Sequence, residues 1–255
     1  MVEVHNLSAG YEGKPVLENI SGSFAPGKIH VLLGRNGSGK STFLKCLSGQ
    51  LEPLAGQIKI QGKPLPELSR QERAQLVSRL PQSAQVPEIS VERLVLHGRF
   101  PWLSWPRVYS KDDYKRARGA LEQYGLLPLK DRYLEELSGG ERQKAGLAQN
   151  MVQDAPVILL DEPGTWLDLS AQFELLEEME RQKREGRLVM MVLHDIAQAL
   201  EYGDELHVFD QGQLLFSGSP EQLVNSGYLK RIFGLEAMAV QAGGKKRWLC
   251  WKEET

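Results

Sequence analysis

Residues 34–41 read Gly-Arg-Asn-Gly-Ser-Gly-Lys-Ser and match G-x-x-x-x-G-K-[ST] at every fixed position. Lys28–Leu33 (KIHVLL) precedes the loop as a short apolar strand. The spacing of Phe43, Leu44 and Leu47 predicts one face of a helix after it, with Gly49 as its stop. Strand, glycine loop and helix in that order leave few folds open. The glycines let the backbone curl so that successive N–H groups converge on phosphate oxygens, and the helix start adds partial positive charge. Gly34, Arg35, Asn36, Gly37, Ser38, Gly39, Lys40, Ser41 and Thr42 are therefore expected to cradle a nucleotide. Lys40 would reach its β- and γ-phosphates, and the Ser41 hydroxyl would bind Mg²⁺. A ligand-free glycine turn is the bland alternative; the flanking strand and helix favour the nucleotide.

The rest of the chain supplies matching elements. Residues 1–25 alternate as strands around the turn GYEGK, and 56–62 form another strand between glycines. From about 66 to 155 the pattern reads as mostly helical, broken at 87–109 by prolines and aromatics that suggest a surface connection. Apolar strands resume at Val157–Leu160, Leu188–Leu193 and Glu205–Phe209, with helices expected at 170–185 and 196–202. Strands alternating with helices predict a largely parallel sheet. The segment 237–255 reads as a hairpin around AGGKK.

Two carboxylates, Asp161 and Glu162, end the strand Val157–Leu160. Adjacent strand residues point to opposite faces, so the two acids cannot do the same job. Asp161 is expected to hold Mg²⁺ through water and Glu162 to polarise the attacking water. An isolated Asp-Glu pair would more often be a solvated turn; following a phosphate loop, it fits metal-assisted nucleotide hydrolysis.

Residues 137–143, LSGGERQ, open another helix. Ser138 and Glu141 fit a capping box, and Leu147, Ala148, Met151 and Val152 continue its apolar face. A cap does not require two consecutive glycines, which suit close approach of a ligand. Here the chain resembles the ATP-binding subunits of ABC transporters, whose signature is LSGGQ-like. Other motifs follow that family's order: Tyr11, the phosphate loop, Gln82 after Leu80-Pro81, Asp161-Glu162, Trp166-Leu167-Asp168 and His194.

The resemblance covers about residues 1–235 and implies an α/β fold. It comprises a P-loop NTPase core with a mostly parallel sheet, an N-terminal antiparallel β subdomain and an inserted α-helical subdomain at about 84–152. Residues 236–255 would be a hairpin-like tail. It also implies that Tyr11 stacks on adenine and that Gln82 coordinates Mg²⁺ and senses the γ-phosphate. His194 would orient the water, acting with Glu162 and Lys40 in hydrolysis of ATP. Ser138, Gly139 and Gly140 would complete the site of a second copy in a head-to-tail dimer, with Trp166 and Asp168 at the interface. Residues 151–169, GRFP at 98–101 and Gln172 resemble the iron–siderophore, haem and cobalamin importers in particular, although Gly164 replaces a usual threonine. The partners implied are integral membrane permease subunits and, indirectly, a substrate-binding protein. Trp102 and Trp105 either line a docking groove for the permease or pack the insertion; local sequence leaves both open. Soluble ABC-type ATPases of a non-transport assembly such as iron–sulfur cluster biogenesis, importers of another cargo, and ATP-binding regulatory modules are the alternatives.

Composition agrees with a peripheral subunit. The chain's 31 basic and 33 acidic residues nearly cancel, which argues against nucleic acid as a partner. The apolar runs fall far short of the roughly 20 residues of a membrane span, and the N-terminus lacks an apolar secretory core. Two cysteines, Cys46 and Cys250, exclude a disulfide framework and favour a reducing compartment. The location expected is the cytoplasmic face of the cell membrane. Cys46 is expected to be a small packing residue. The basic runs Lys115–Arg118, Lys183–Arg187 and Lys245–Arg247 are expected to be solvated.

Overall fold

The computed structural model describes residues 1–82 and 86–252. Residue 84, the expected start of the insertion, and residues 253–255 of the tail lie outside them. The alternating N-terminal segments form strands β1 (Val2–Tyr11) and β2 (Lys14–Phe24), followed by β3 (Lys28–Leu33) and helix α1 (Lys40–Leu47). Next come β4 (Ala55–Ile60), β5 (Lys63–Pro64), α2 (Arg70–Leu76) and β6 (Val77–Leu80). Helices α3 (Val91–His97), α4 (Lys111–Gln123) and α5 (Gly139–Gln153) precede β7 (Val157–Asp161). The chain then alternates through α6 (Leu169–Arg184), β8 (Leu188–Val192), α7 (Ile196–Tyr202), β9 (Glu205–Asp210) and β10 (Gln213–Gly218). It ends with α8 (Pro220–Asn225) and the hairpin β11 (Leu235–Ala242) and β12 (Lys245–Lys252).

These elements build an antiparallel sheet, β2-β1-β4-β5, and a six-stranded sheet, β10-β9-β3-β8-β7-β6. All neighbours in the larger sheet are parallel except the edge pair β9–β10. Strand β3 lies at its centre, pairing Ile29 with Val189 on one side and Leu33 with Val208 on the other. Its residues 29–33 are all buried, as expected of a strand covered on both faces.

On one face α1 and the antiparallel sheet enclose Phe24, Phe43 and Phe209. Phe43 is fully buried and lies 5.8 and 5.3 Å, centroid to centroid, from the other two rings. Truncating such a ring costs about 3–5 kcal/mol. Helices α6 and α7 cover the other face with Leu175, Met179, Ala199 and Leu200. Helices α3, α4 and α5 share a separate apolar cluster built on Val95, Leu121, Ala145 and Ala148. Cys46 is buried in the first of these cores, and burial pushes its thiol up to about 11.

Three expectations need correction. The mostly helical reading of 66–155 misses β6, which pairs Val77 with Val157 and extends the parallel sheet. The proline-rich stretch 87–109 is not all connection, because α3 forms there with Ser90 accepting from the Arg93 N–H as its cap. Nor are two of the basic runs simply solvated, although Lys115, Arg116 and Arg118 are exposed as expected. Lys183 pairs with Glu180 and Asp204, Arg187 with Asp154, Lys246 with Glu221 and Arg247 with Glu201.

Two histidines sit inside the larger sheet. His30 Nδ1 on β3 lies 3.1 Å from His207 Nε2 on β9, and both rings are buried. The outer nitrogens also have partners: His30 Nε2 is 2.9 Å from the Ala25 carbonyl, and His207 Nδ1 is 2.9 Å from Ser217 Oγ. Burial holds both imidazoles neutral, pushing His30 below its ordinary value and His207 down to about 3. Below about pH 6.5 the unfolded chain takes up protons that the folded one refuses, so stability is complete above that value and declines as pH falls. His207 alone should remove on the order of 2 kcal/mol by pH 5. Thermal melts at about pH 5 and 7.5 should show this decline in the parent and a flatter profile in a His30→Leu/His207→Leu double variant. Equal slopes in the two proteins would show that the pair does not control acid stability.

Candidate active site

The phosphate loop leaves the C-terminal end of β3 and turns into α1. Gly39 has φ 104°, and a Cβ there would come within 2.4 Å of Leu17 Cδ2. At Gly34 (φ 150°) a Cβ would lie 2.2 Å from the Phe209 carbonyl oxygen. A side chain at Gly34 would have to displace the backbone of β9, and at Gly39 it would be strained by the positive φ and would press on the buried Leu17 side chain. Lys40 is buried, and its ammonium donates to the carbonyls of Gly34 at 2.7 Å and Arg35 at 3.0 Å. Desolvation pushes Lys40 below its ordinary value, while Glu162 and Asp161 pull it back up. A cavity of about 270 Å³ opens here, lined among others by Gly37, Gly39, Lys40, Ser41, Gln82, Glu162 and His194.

Strand β7 delivers the two acids to different places. Asp161 is buried on the α1 side, and its Oδ1 accepts from Ser41 Oγ–H at 2.9 Å. Glu162 follows in the left-handed region at φ 52°, a conformation costing about 1–3 kcal/mol for a residue with a side chain. One Glu162 carboxylate oxygen lies 2.7 Å from His194 Nε2, beyond the end of β8. The other accepts from the Gln82 amide at 2.7 Å. Residues from distant parts of the chain thus meet at the edge of one cavity. The donors around Ser41, Asp161 and Gln82 are all oxygen-bearing, which fits Mg²⁺ rather than a soft metal.

Other predicted site residues lie apart from this cavity. Tyr11 is exposed at the end of β1, its hydroxyl 3.0 Å from Lys45 Nζ, which sits over the ring at 5.2 Å. The Arg35 side chain turns away and donates to the Ile232 carbonyl at 3.1 Å. Ser138 caps α5: its hydroxyl accepts from the Glu141 N–H at 3.3 Å and donates to the Glu141 carboxylate at 2.7 Å. Trp166, at φ 71° and 73% exposed, packs over Gly139, and a Cβ on Gly140 would meet the Trp166 carbonyl at 2.9 Å. Gly140 is thus needed within the chain, whereas Gly139 leaves room for a ligand. Asp168 caps α6 by accepting from the Ala171 N–H at 2.8 Å. Gln172 braces the same turn, donating to the carbonyls of Leu167 and Gly164 at 3.1 and 3.3 Å.

One polar residue beside the site escaped the sequence reading. Arg79, on β6, lies with Nη2 3.1 Å from Asp161 Oδ2. Its signal was a charge inside the short run Val77-Ser78-Arg79-Leu80, hidden by treating that stretch as helical. A larger cavity, about 530 Å³, lies between α4, α5 and α6 and is lined by Tyr124, Lys144, Glu174 and Arg181. It shares no residue with the phosphate-loop cavity.

Comparison with known proteins agrees with this geometry. Residues 17–165 match the family model described as ABC transporter. The ferric enterobactin transport ATP-binding protein of Escherichia coli is 35% identical over 236 residues, 92% of this chain and 87% of that protein. The iron(3+)-hydroxamate import ATP-binding protein of Bacillus subtilis is 33% identical over 241 residues, 94% of this chain and 90% of that protein. A solved ATP-binding subunit of an ABC transporter superposes with a TM-score of 0.80 at 27% identity, covering 89% of this chain and 93% of that one.

Lys40→Ala removes the cation from the loop while leaving the glycine geometry intact. Titration with a fluorescent ATP analogue should show affinity weakened roughly tenfold or more. Unchanged affinity in a folded variant would remove Lys40 from the binding site.

Proposed function

The chain belongs to the ABC transporter family as an ATP-binding ATPase, and on that premise we propose that it powers import of an iron chelate, haem or cobalamin. The observation that carries the catalytic reading is the meeting of Glu162, His194 and Gln82 at the cavity holding Lys40 and Ser41. The relatives named for ferric enterobactin and iron(3+)-hydroxamate support an iron chelate as cargo.

Each residue has a distinct part. The backbone N–H groups of residues 34–42 and the Lys40 ammonium hold the β- and γ-phosphates. Tyr11 offers its exposed ring to adenine. Ser41, Gln82 and Asp161 would hold Mg²⁺, which when bound neutralises developing phosphate charge. Glu162, fixed between Gln82 and His194, accepts a proton from the water whose oxygen attacks the γ-phosphorus. The bond to the bridging oxygen breaks, leaving ADP and phosphate. His194 orients that water.

None of residues 138–140 lines the phosphate-loop cavity, and Ser138 is exposed. In a head-to-tail pair each copy's Ser138, Gly139 and Gly140 would close over the other's ATP, with Trp166 and Asp168 at the seam. No helix among the described residues is long and apolar enough to cross a membrane. The pair would act peripherally, on the cytoplasmic face, docked on permease subunits that a substrate-binding protein supplies. Trp102 is anchored to the end of α5, donating to the Gln153 carbonyl at 2.7 Å, and is 42% exposed, whereas Trp105 is 90% exposed. Of the two, Trp105 is the more available to a permease helix.

Glu162→Gln keeps the shape and removes the base. ATP binding should persist, turnover should fall roughly a hundredfold or more, and size-exclusion chromatography with ATP should show a stable dimer. Parent-rate hydrolysis would sink the assignment. The transport reading has its own check: the intact chain purified from membranes should bring with it a many-spanning partner. A soluble scaffold as sole companion would favour the assembly ATPases instead.

A further inference from the structure

Arg79 and Asp161 form a buried ion pair, with side chains 6% and 2% exposed. Strand register creates it: Arg79 on β6 pairs with Leu159 on β7, and Asp161 lies two residues further along the same face. Asp161 has its two oxygens divided, Oδ1 accepting from Ser41 Oγ–H at 2.9 Å and Oδ2 from Arg79 Nη2 at 3.1 Å. Arg79 Nη1 is held in turn by Gln50 Oε1, in the turn after α1. The Arg79 Nε–H is buried without an acceptor. Stability alone does not explain such a residue, since a well-packed apolar side chain is often at least as stabilising as a buried ion pair. Its placement makes sense beside a carboxylate whose direction and charge matter.

We propose that Arg79 is a positioning residue that aims Asp161 at the metal site and, by its charge, sets how tightly Mg²⁺ is held there. The inference rests on the reading of Asp161 as a Mg²⁺ residue. Arg79 fixes Oδ2, which leaves Oδ1 against the Ser41 hydroxyl at the wall of the phosphate-loop cavity. Its positive charge offsets that of the carboxylate, so the metal meets a weaker field than Asp161 alone would supply. Mg²⁺ would therefore be held less tightly there than by Asp161 without its cation.

The test is a Mg²⁺ titration of the intact chain carrying a fluorescent ATP analogue, read by emission and not by turnover. Arg79→Met should lower the Mg²⁺ midpoint roughly three- to tenfold, because the carboxylate keeps its full charge. Arg79→Lys retains the cation and should stay within about twofold of the parent. Arg79→Gln replaces the Met variant if thermal melts show that the latter does not fold. An unchanged midpoint in the neutral variant, or an equal shift in Arg79→Lys, overturns the proposal. Asp161→Asn separates the two levels: if it leaves the midpoint unmoved, the reading of Asp161 itself fails. If it moves the midpoint while the neutral Arg79 variant does not, only the role of Arg79 fails.

Discussion

Parallel pairing at the centre of the six-stranded sheet is the constraint on which the site depends. With β3, β6, β7 and β8 all running one way, their C-terminal ends share one edge. The phosphate loop follows β3, Gln82 follows β6, Asp161 and Glu162 end β7, and His194 follows β8. No two of these four segments are neighbours in sequence, yet each needs only a short excursion from its strand to reach the cavity. Open α/β sheets place ligands at such carboxyl ends for this reason.

The period of two within β7 then divides the chemistry. The shared face of Val157 and Leu159 is the core under α1, and Asp161 continues it; Ile158 and Leu160 face the layer of α6 and α7. Asp161 consequently meets Ser41 and Arg79 in a dry setting. Glu162, just past the strand and in left-handed backbone, turns to His194 and Gln82 at the cavity's rim. One peptide bond separates a carboxylate held by a buried cation from one held by an exposed imidazole.

What could be read from the sequence was what local chemistry determines. The phosphate loop announces itself because its glycines are required by a close approach to Leu17 and Phe209. Asp161 and Glu162 are legible because they terminate an uninterrupted apolar strand. Strand β6 was not, since four residues beside a helix carry too short a period and the partner strand lies about 80 positions away. Arg79 vanished with it. The contact of Trp166 with Gly139 was equally hidden, because the sequence shows two glycines but not what presses on them. Lys183 looked like part of a solvated run until the fold brought Asp204 alongside.

The histidines buried between β3 and β9 form a chain with only one possible sense. The Ala25 carbonyl can only accept, so His30 must carry its proton on Nε2, and the neutral ring then offers a bare Nδ1. His207 must fill that vacancy from Nε2, which leaves its own Nδ1 to accept from the Ser217 hydroxyl. A single backbone oxygen just past the end of β2 thereby dictates the tautomers of two rings and the rotation of a hydroxyl on β10. The interior of this sheet carries an ordered, one-way row of protons across three strands, written by a group that has none to give.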